Sequence, residues 1–261
     1  MTIRLSIIIL TWNQRYVLHR CLCSLMPAIE GISHEVIVVD NGSSDGSLQM
    51  LEQSFPEITV IANAENRGVA ADRNQGITAS TGRYILILDN DTVVNAEAIE
   101  GMLTYLEQNP QAGIVACRLL NEDHTVQNSM KPYPGLIQKM RNVLRLTTSA
   151  TRFRTDEHGV IYPTYVIGAC QMFPRLLIDT IGLLDDNIFY GPEDADFCLR
   201  ATQAGYKVCY LPHICIEHLH RRITSHNLLS PMARHHARAL LYFYSKHHRW
   251  LYQLISTHSP H

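Results

Sequence analysis

The chain has 261 residues, 46% of them hydrophobic and 18% charged, with a net charge of −2. That length and balance fit one large domain with a sizeable core and argue against global disorder. Seven cysteines without a Cys-x-x-Cys spacing argue against a disulfide framework or a zinc cluster, so a reducing cytoplasm is the expected compartment. No apolar run has the length of a membrane span, and the opening residues lack the pattern of a secretory signal. The small net charge hides an asymmetry. Residues 124–155 hold six Lys or Arg and no acid, and from Leu199 onward eight Lys or Arg face the single acid Glu217. This pattern suits a metal–nucleotide site in the first half and phosphates or an anionic surface near the second.

In chain order, strands are expected at Leu5–Leu10, Glu35–Asp40, Ile58–Ala62, Tyr84–Leu88 and Gly113–Cys117. Helical patterns lie between them at Arg15–Met26, Ser44–Ser54, Gly68–Ser80 and Ala96–Gln108, with Asn95 as the N-cap of the last. Strand–helix alternation of this kind predicts an α/β fold with a doubly wound, mostly parallel sheet. After Arg118 the alternation stops. Pro132 and Pro134 precede a basic helix expected at Gly135–Leu146. Helices follow at Arg175–Ile181 and Glu193–Ala204, then strands at Lys207–Leu211 and Ile214–Glu217, and a final helix from about Pro231 to about His248.

The strand Tyr84–Leu88 runs into Asp89-Asn90-Asp91. Residues two apart on a strand share a face, so the two carboxylates are expected to converge on one hard cation at the strand's carboxyl end. A second strand ends in Asp40-Asn41-Gly42-Ser43-Ser44-Asp45-Gly46, an acid and a tight polar turn able to receive a nucleoside. The first strand ends in Thr11-Trp12-Asn13 and lacks Gly-x-Gly-x-x-Gly, which argues against a nicotinamide or flavin enzyme. In Asn66–Gly76, Arg73 has the chemistry to reach a diphosphate, although the Arg67, Asp72, Arg73 cluster on its own reads as a solvated helix face. Glu193, Asp194 and Asp196 open a helix. The ordinary explanation is compensation of the helix dipole; the functional one is a general base to a sugar hydroxyl. His218 and His220 follow the last strand, where nearby carboxylates favour metal ligation, and His235, His236, His247 and His248 read as solvated or interfacial.

Taken in order, these segments resemble the inverting family-2 glycosyltransferases with the GT-A fold, in the branch that includes rhamnosyltransferases of bacterial surface-polysaccharide assembly. The resemblance rests on Ser6–Asn13, the Asp40–Gly46 turn, Asn66-Arg67-Gly68 with Arg73-Asn74, Asp89-Asn90-Asp91, Gly168-Ala169-Cys170, and the run from Gly182 through Glu193-Asp194-Ala195-Asp196 to Val208. It implies one GT-A domain over residues 1–261. A Rossmann-like nucleotide-sugar half would occupy 1–117, a mixed acceptor half 118–230 and a C-terminal helical extension 231–261. It also implies roles. Asp40 would contact the base, with Thr11, Asn13 and Asn41 in the same pocket, and Arg73, Asp89 and Asn90 would complete the donor site. Asp91 and His218 would hold Mg²⁺ or Mn²⁺, with His220 an equally available imidazole. Asp194 would be the catalytic base, and Gly168, Ala169 and Glu193 would meet the acceptor.

The implied reaction moves a sugar from a UDP- or dTDP-sugar, dTDP-rhamnose among them, to a saccharide on a lipid diphosphate. The implied setting is the cytoplasm or the inner face of the plasma membrane, with the basic segments against anionic lipid and no nucleic-acid partner. Three alternatives stand beside it. A sugar nucleotidyltransferase calls for a Gly-rich basic loop after the first strand, which Leu10-Thr11-Trp12-Asn13-Gln14 lacks. A non-catalytic nucleotide-sugar or polysaccharide-binding module would have no use for both Asp91 and Asp194. A response-regulator-like phosphoacceptor at Asp40 would leave the later acids unused.

Overall fold

The computed structural model describes residues 2–132, 153–189, 191–219 and 231–257, with side chains of the last helix described over 235–248. The first half alternates as expected: β1 (Leu5–Thr11), α1 (Arg15–Ala28), β2 (His34–Asp40), α2 (Ser47–Ser54), β3 (Thr59–Ala62), α3 (Val69–Ala79), β4 (Tyr84–Asp89), a short β5 (Thr92–Val93), α4 (Ala96–Gln108) and β6 (Ala112–Leu120). Short strands follow, β7 (Met130–Lys131), β8 (Arg154–Thr155), β9 (Ile161–Tyr162) and β10 (Tyr165–Val166). The remainder is β11 (Cys170–Pro174), α5 (Arg175–Ile181), α6 (Glu193–Gln203), β12 (Lys207–His218) and α7 (Pro231–Thr257). The basic helix expected at Gly135–Leu146 and His220 lie outside the described residues.

The main sheet has ten strands in the order β3-β2-β1-β4-β11-β6-β12-β9-β8, with β5 added to β12. Strands β1 to β4 are parallel, as are β6 and β12, while β11 runs antiparallel to both β4 and β6 and joins the two parallel blocks. Strand alternation then sorts the core. Leu5, Ile7 and Ile9 face Leu18 and Leu22 of α1 with Ile99 and Met102 of α4. Ile8, on the opposite side, packs with Ala70 and Ile77 of α3 and Phe197 of α6. Both faces are therefore covered by helices, as a parallel sheet requires. Asn95 caps α4, its Oδ1 accepting the Ala98 N–H at 2.8 Å. All seven cysteines are free.

Two expected strands are one. β12 continues through Pro212, with a register shift against β6 between Leu211 and Cys215. A proline cannot donate to the ladder, so a strand that contains one is accommodated at such an irregularity rather than ended by it. The extra length carries the end of β12 to β5, where His218 pairs with Thr92 and Glu217 with Val93. His218 is thereby part of the strand and not of the loop beyond it.

Candidate active site

Strands β1, β2 and β4 end side by side, and their last residues build one polar rim. Thr11 stands opposite Asp40 in the register. The Thr11 carbonyl accepts the Asn41 N–H at 2.9 Å. Asn13 and the following turn are cross-stitched: the Asn13 N–H donates to Ser43 Oγ at 2.9 Å, and the Ser44 N–H donates to Asn13 Oδ1 at 2.8 Å. Asn41 Oδ1 accepts the Arg67 N–H at 3.3 Å. Asp40 is fully buried. Its Oδ2 accepts the Ser43 N–H at 2.9 Å, while Oδ1 is buried with no hydrogen-bond partner. An unsatisfied carboxylate oxygen costs free energy, and a donor from a bound ligand would remove that cost. Trp12, between Thr11 and Asn13, is 51% exposed.

The buried Asn90 ties this rim to the acids, its Nδ2 donating to Thr11 Oγ1 at 2.9 Å. Asp89 is the last residue of β4, but Asp91 lies in the turn after it. The expected strand alternation is therefore not what brings the two carboxylates together. Thr92 Oγ1 donates to the Asp89 carbonyl at 2.8 Å and closes the turn, and the Leu219 N–H donates to the Asp91 carbonyl at 2.7 Å. Ligand atoms of Asp89, Asp91 and His218 all fall within 4.8 Å of one another. His218 Nε2 is 3.2 Å from Asp91 Oδ1.

The residues fit a divalent ion on chemical grounds. Gln127 Nε2 donates to Asn121 Oδ1 at 2.8 Å and to the His218 carbonyl at 2.7 Å, so its Oε1 is left to accept from His218 Nδ1 at 2.8 Å. With the proton on Nδ1, the Nε2 lone pair points to the acids, the usual arrangement behind a metal-ligating histidine. Burial disfavours the imidazolium, but contact with Asp91 outweighs it and raises the His218 pKa. Burial likewise raises the Asp89 pKa, against the pull of Arg73 and with the push of Asp91. Gln127 lies 91 positions before His218, with no motif to announce it.

Arg73 connects this cluster to the other side of the cleft. Its Nη2 donates to Asp89 Oδ1 at 2.6 Å and to the Gly168 carbonyl at 3.1 Å, and Nη1 lies 3.5 Å from Glu193 Oε1. Burial on its own would lower the Arg73 pKa; Asp89 and Glu193 more than offset it, so the guanidinium stays charged. Arg67, Asp72 and Arg73 do not form a solvated helix face, because Asp72 and Arg73 are both buried. Gly168 is what makes room: a Cβ there would sit 2.6 Å from Arg73 Nη1. Ala169 is buried beside it, its carbonyl accepting the Asp89 N–H at 2.9 Å.

The three acids that open α6 have different surroundings. Glu193 is buried against Arg73, with Oε2 unpartnered. Asp196 is fully buried and held by Arg200, Lys246 and His247. Asp194 is only partly covered and accepts the Ala195 N–H at 2.7 Å. Burial and the adjacent Glu193 push its pKa up to about 7, against the pull of Arg73 and of the Ala195 and Gly168 amides. A carboxylate tuned near neutrality is suited to take and release a proton. Of the late histidines, His247 is buried, His235 stacks on Phe189 and His248 is exposed.

Fold and rim together define an α/β protein of the GT-A type. The mannosyltransferase PcManGT from Pyrobaculum calidifontis, solved with GDP-Man and Mn²⁺, matches with a TM-score of 0.62 at 20% identity over 86% of this chain and 59% of its own. S. aureus TarS (residues 1–349) matches with a TM-score of 0.61 at 18% identity over 83% of this chain and 60% of its own. This chain thus spans about three-fifths of those solved neighbours. The chain belongs to glycosyltransferase family 2, whose model, Glycosyl transferase family 2, matches residues 6–176. It is 25% identical to the N-acetylglucosaminyl-diphospho-decaprenol L-rhamnosyltransferase of Mycobacterium tuberculosis, over 96% of this chain and 87% of the relative. It is 26% identical to the low-salt glycan biosynthesis hexosyltransferase Agl10 of Haloferax volcanii, over 78% of this chain and 63% of the relative. Among the described residues, no helix is long and apolar enough to cross a membrane.

Proposed function

We propose that this family-2 glycosyltransferase is an inverting enzyme that moves a sugar from a UDP- or dTDP-sugar, with dTDP-rhamnose the first candidate, to a saccharide on a lipid diphosphate. One observation carries the reading: the Asp89, Asp91, His218 cluster is joined through the buried Arg73 to the turn that bears Asp194. The mycobacterial relative, an N-acetylglucosaminyl-diphospho-decaprenol L-rhamnosyltransferase, supports rhamnose as the sugar and a diphospho-lipid saccharide as the acceptor class.

Asp40 Oδ1 accepts an N–H of the base, with Thr11, Asn13, Asn41 and Asn90 shaping its pocket. Asp91 and His218, supported by Asp89, would hold Mg²⁺ or Mn²⁺, which when bound neutralises charge on the diphosphate leaving group. Arg73 adds a fixed positive charge beside it. Gly168, Ala169 and Glu193 border the acceptor. Asp194 takes the proton of the acceptor hydroxyl as that oxygen bonds to the anomeric carbon and the bond to the diphosphate breaks, which inverts the centre. The chain works as one unit, with donor half 1–117, acceptor half 118–230 and a C-terminal extension from 231. A lipid-borne acceptor places it at the inner face of the plasma membrane.

The test is nucleotide release across a panel of UDP-, dTDP- and GDP-sugars with Mg²⁺ or Mn²⁺ and an N-acetylglucosaminyl-diphospho-lipid acceptor. Metal-dependent release from a UDP- or dTDP-sugar is expected. Asp194→Asn should slow turnover by roughly 10²–10⁴-fold while nucleotide affinity is kept, the usual cost of a lost general base. Wild-type turnover in that variant would remove Asp194 from the mechanism, and no release from any donor would overturn the reading.

A further inference from the structure

The last helix grips the segment that carries the acid turn. Tyr242 donates its phenol proton to Asp185 Oδ2 at 3.0 Å, and Lys246 Nζ reaches the same oxygen at 2.5 Å. His235 stacks on Phe189 with ring centroids 4.7 Å apart, and His236 Nδ1 donates to the Gly191 carbonyl at 3.1 Å. Phe243 is buried against Ala195 and Leu199 of α6. Lys246 Nζ and His247 Nε2 both meet Asp196 Oδ1 at 2.7 Å, while Arg200 Nε takes Asp196 Oδ2 at 2.7 Å.

The opposite side of the same segment is held by α3. The Val69 N–H donates to the Phe189 carbonyl at 3.0 Å. Asn74 exchanges two hydrogen bonds with the backbone of Leu184, at 2.8 and 3.0 Å. Arg73 holds Glu193. Lys246 and His247 lie on α7, away from the Asp40 turn and the Asp89, Asp91, His218 cluster, and Arg200 is already an i,i+4 partner for Asp196. Burying Asp196 fully beneath two cations and an imidazole serves a different end. Burial raises its pKa, yet the hydrogen bond with His247, then Arg200 and Lys246, hold it well below the carboxylate range. A buried charge satisfied at fixed geometry sets the rotation and height of the helix turn it belongs to, and Asp194 is on that turn.

We propose that Lys246 and His247 are positioning residues for the transfer reaction: by clamping Asp185 and Asp196, α7 fixes the first turn of α6 and with it the carboxylate of Asp194. The inference rests on the reading of Asp194 as the base. It assigns the C-terminal helix to the catalytic step and not to donor binding.

The test uses the full chain with Mn²⁺, the panel donor that the wild type turns over fastest and the N-acetylglucosaminyl-diphospho-lipid acceptor. Lys246→Met keeps the apolar stem and removes the charge. Its kcat should fall about 10- to 100-fold, the range for a reacting group displaced by about an ångström. Affinity for free UDP and dTDP with Mn²⁺, measured by calorimetry, should stay within about twofold, and Lys246→Arg should restore most of kcat. A kcat within about twofold of wild type, or a fall in nucleotide affinity that parallels kcat, would overturn the proposal. Tyr242→Phe loses one hydrogen bond at an exposed rim and serves if Lys246→Met fails to fold. A loss in kcat of about threefold at constant nucleotide affinity supports the clamp, and no loss overturns it. Asp194→Asn separates the two ideas. If it still turns over, the base reading falls; if it is dead while Lys246→Met is fully active, only the clamp falls.

Discussion

Glu193, Asp194 and Asp196 sit within four positions, and one helix dipole would explain all of them equally well. Their neighbours separate them. Arg73 holds Glu193, the α7 side chains hold Asp196, and Asp194 keeps a raised pKa of about 7. That value gives a pH prediction with a definite sign. A base must be deprotonated to act, so kcat/KM should rise as pH passes up through about 7 and level off above it. Glu193 is a negative neighbour that favours the protonated Asp194. In Glu193→Gln that repulsion is gone, the charged form is favoured and the acid limb should move to lower pH. A pH profile of kcat/KM for both proteins checks this, and an upward shift would contradict the assignment. Local pattern alone did not separate the three acids, because the discriminating partners Arg73, Gly168, Lys246 and His247 lie on other elements, far from them along the chain. His218 is the same case, since its Gln127 support leaves no trace in local pattern.

At the scale of elements, α3 shows both what pattern reading captures and where it stops. The helix itself was legible in Val69–Ala79, but its polar cluster read as solvent-facing. The reason lies at Gly76. A Cβ there would sit 2.4 Å from Ile8 Cγ2 and 3.3 Å from Val39 Cγ2, so the missing side chain lets α3 lie close on the sheet. Arg73, one turn earlier on the same face, is then carried into the interior. Two effects compete in Gly76→Ala. Helix propensity favours alanine by about 1 kcal/mol. Overpacking a filled core costs about 1–3 kcal/mol, and Ile8 is too buried to step aside. Overpacking should win, with a net loss of up to about 2 kcal/mol and a melting temperature lower by as much as roughly 8 °C. Thermal unfolding followed by circular dichroism checks the sign; a higher melting temperature would mean that α3 has room to spare. β12 teaches a related lesson. Pro212 divided it in the sequence reading, whereas the sheet absorbs the proline at a register shift and thereby delivers His218 to Asp91.

Across the whole molecule, the parallel strand ends were the legible part, because each motif there is contiguous: Thr11–Asn13, Asp40–Gly46, Asp89–Asp91. What joins them is long-range. Asn90 reaches Thr11 across 79 positions, and Arg73 reaches Glu193 across 120. A ligand that bridges such distant segments binds the folded sheet and not the unfolded chain, so its affinity appears directly as stability. UDP or dTDP with Mn²⁺ at about 100 times the dissociation constant should add about 2.7 kcal/mol. For a chain of this size that is a rise in melting temperature of roughly 5–10 °C. In Asp91→Ala the cation loses a ligand while the Asp40 pocket stays intact, so the Mn²⁺-dependent part of the rise should vanish and any metal-independent part remain. A full Mn²⁺-dependent shift in Asp91→Ala would place the cation away from the Asp89, Asp91, His218 cluster. A loss of both parts would mean that the base pocket leans on the acids through Asn90 more heavily than its one 2.9 Å bond to Thr11 implies.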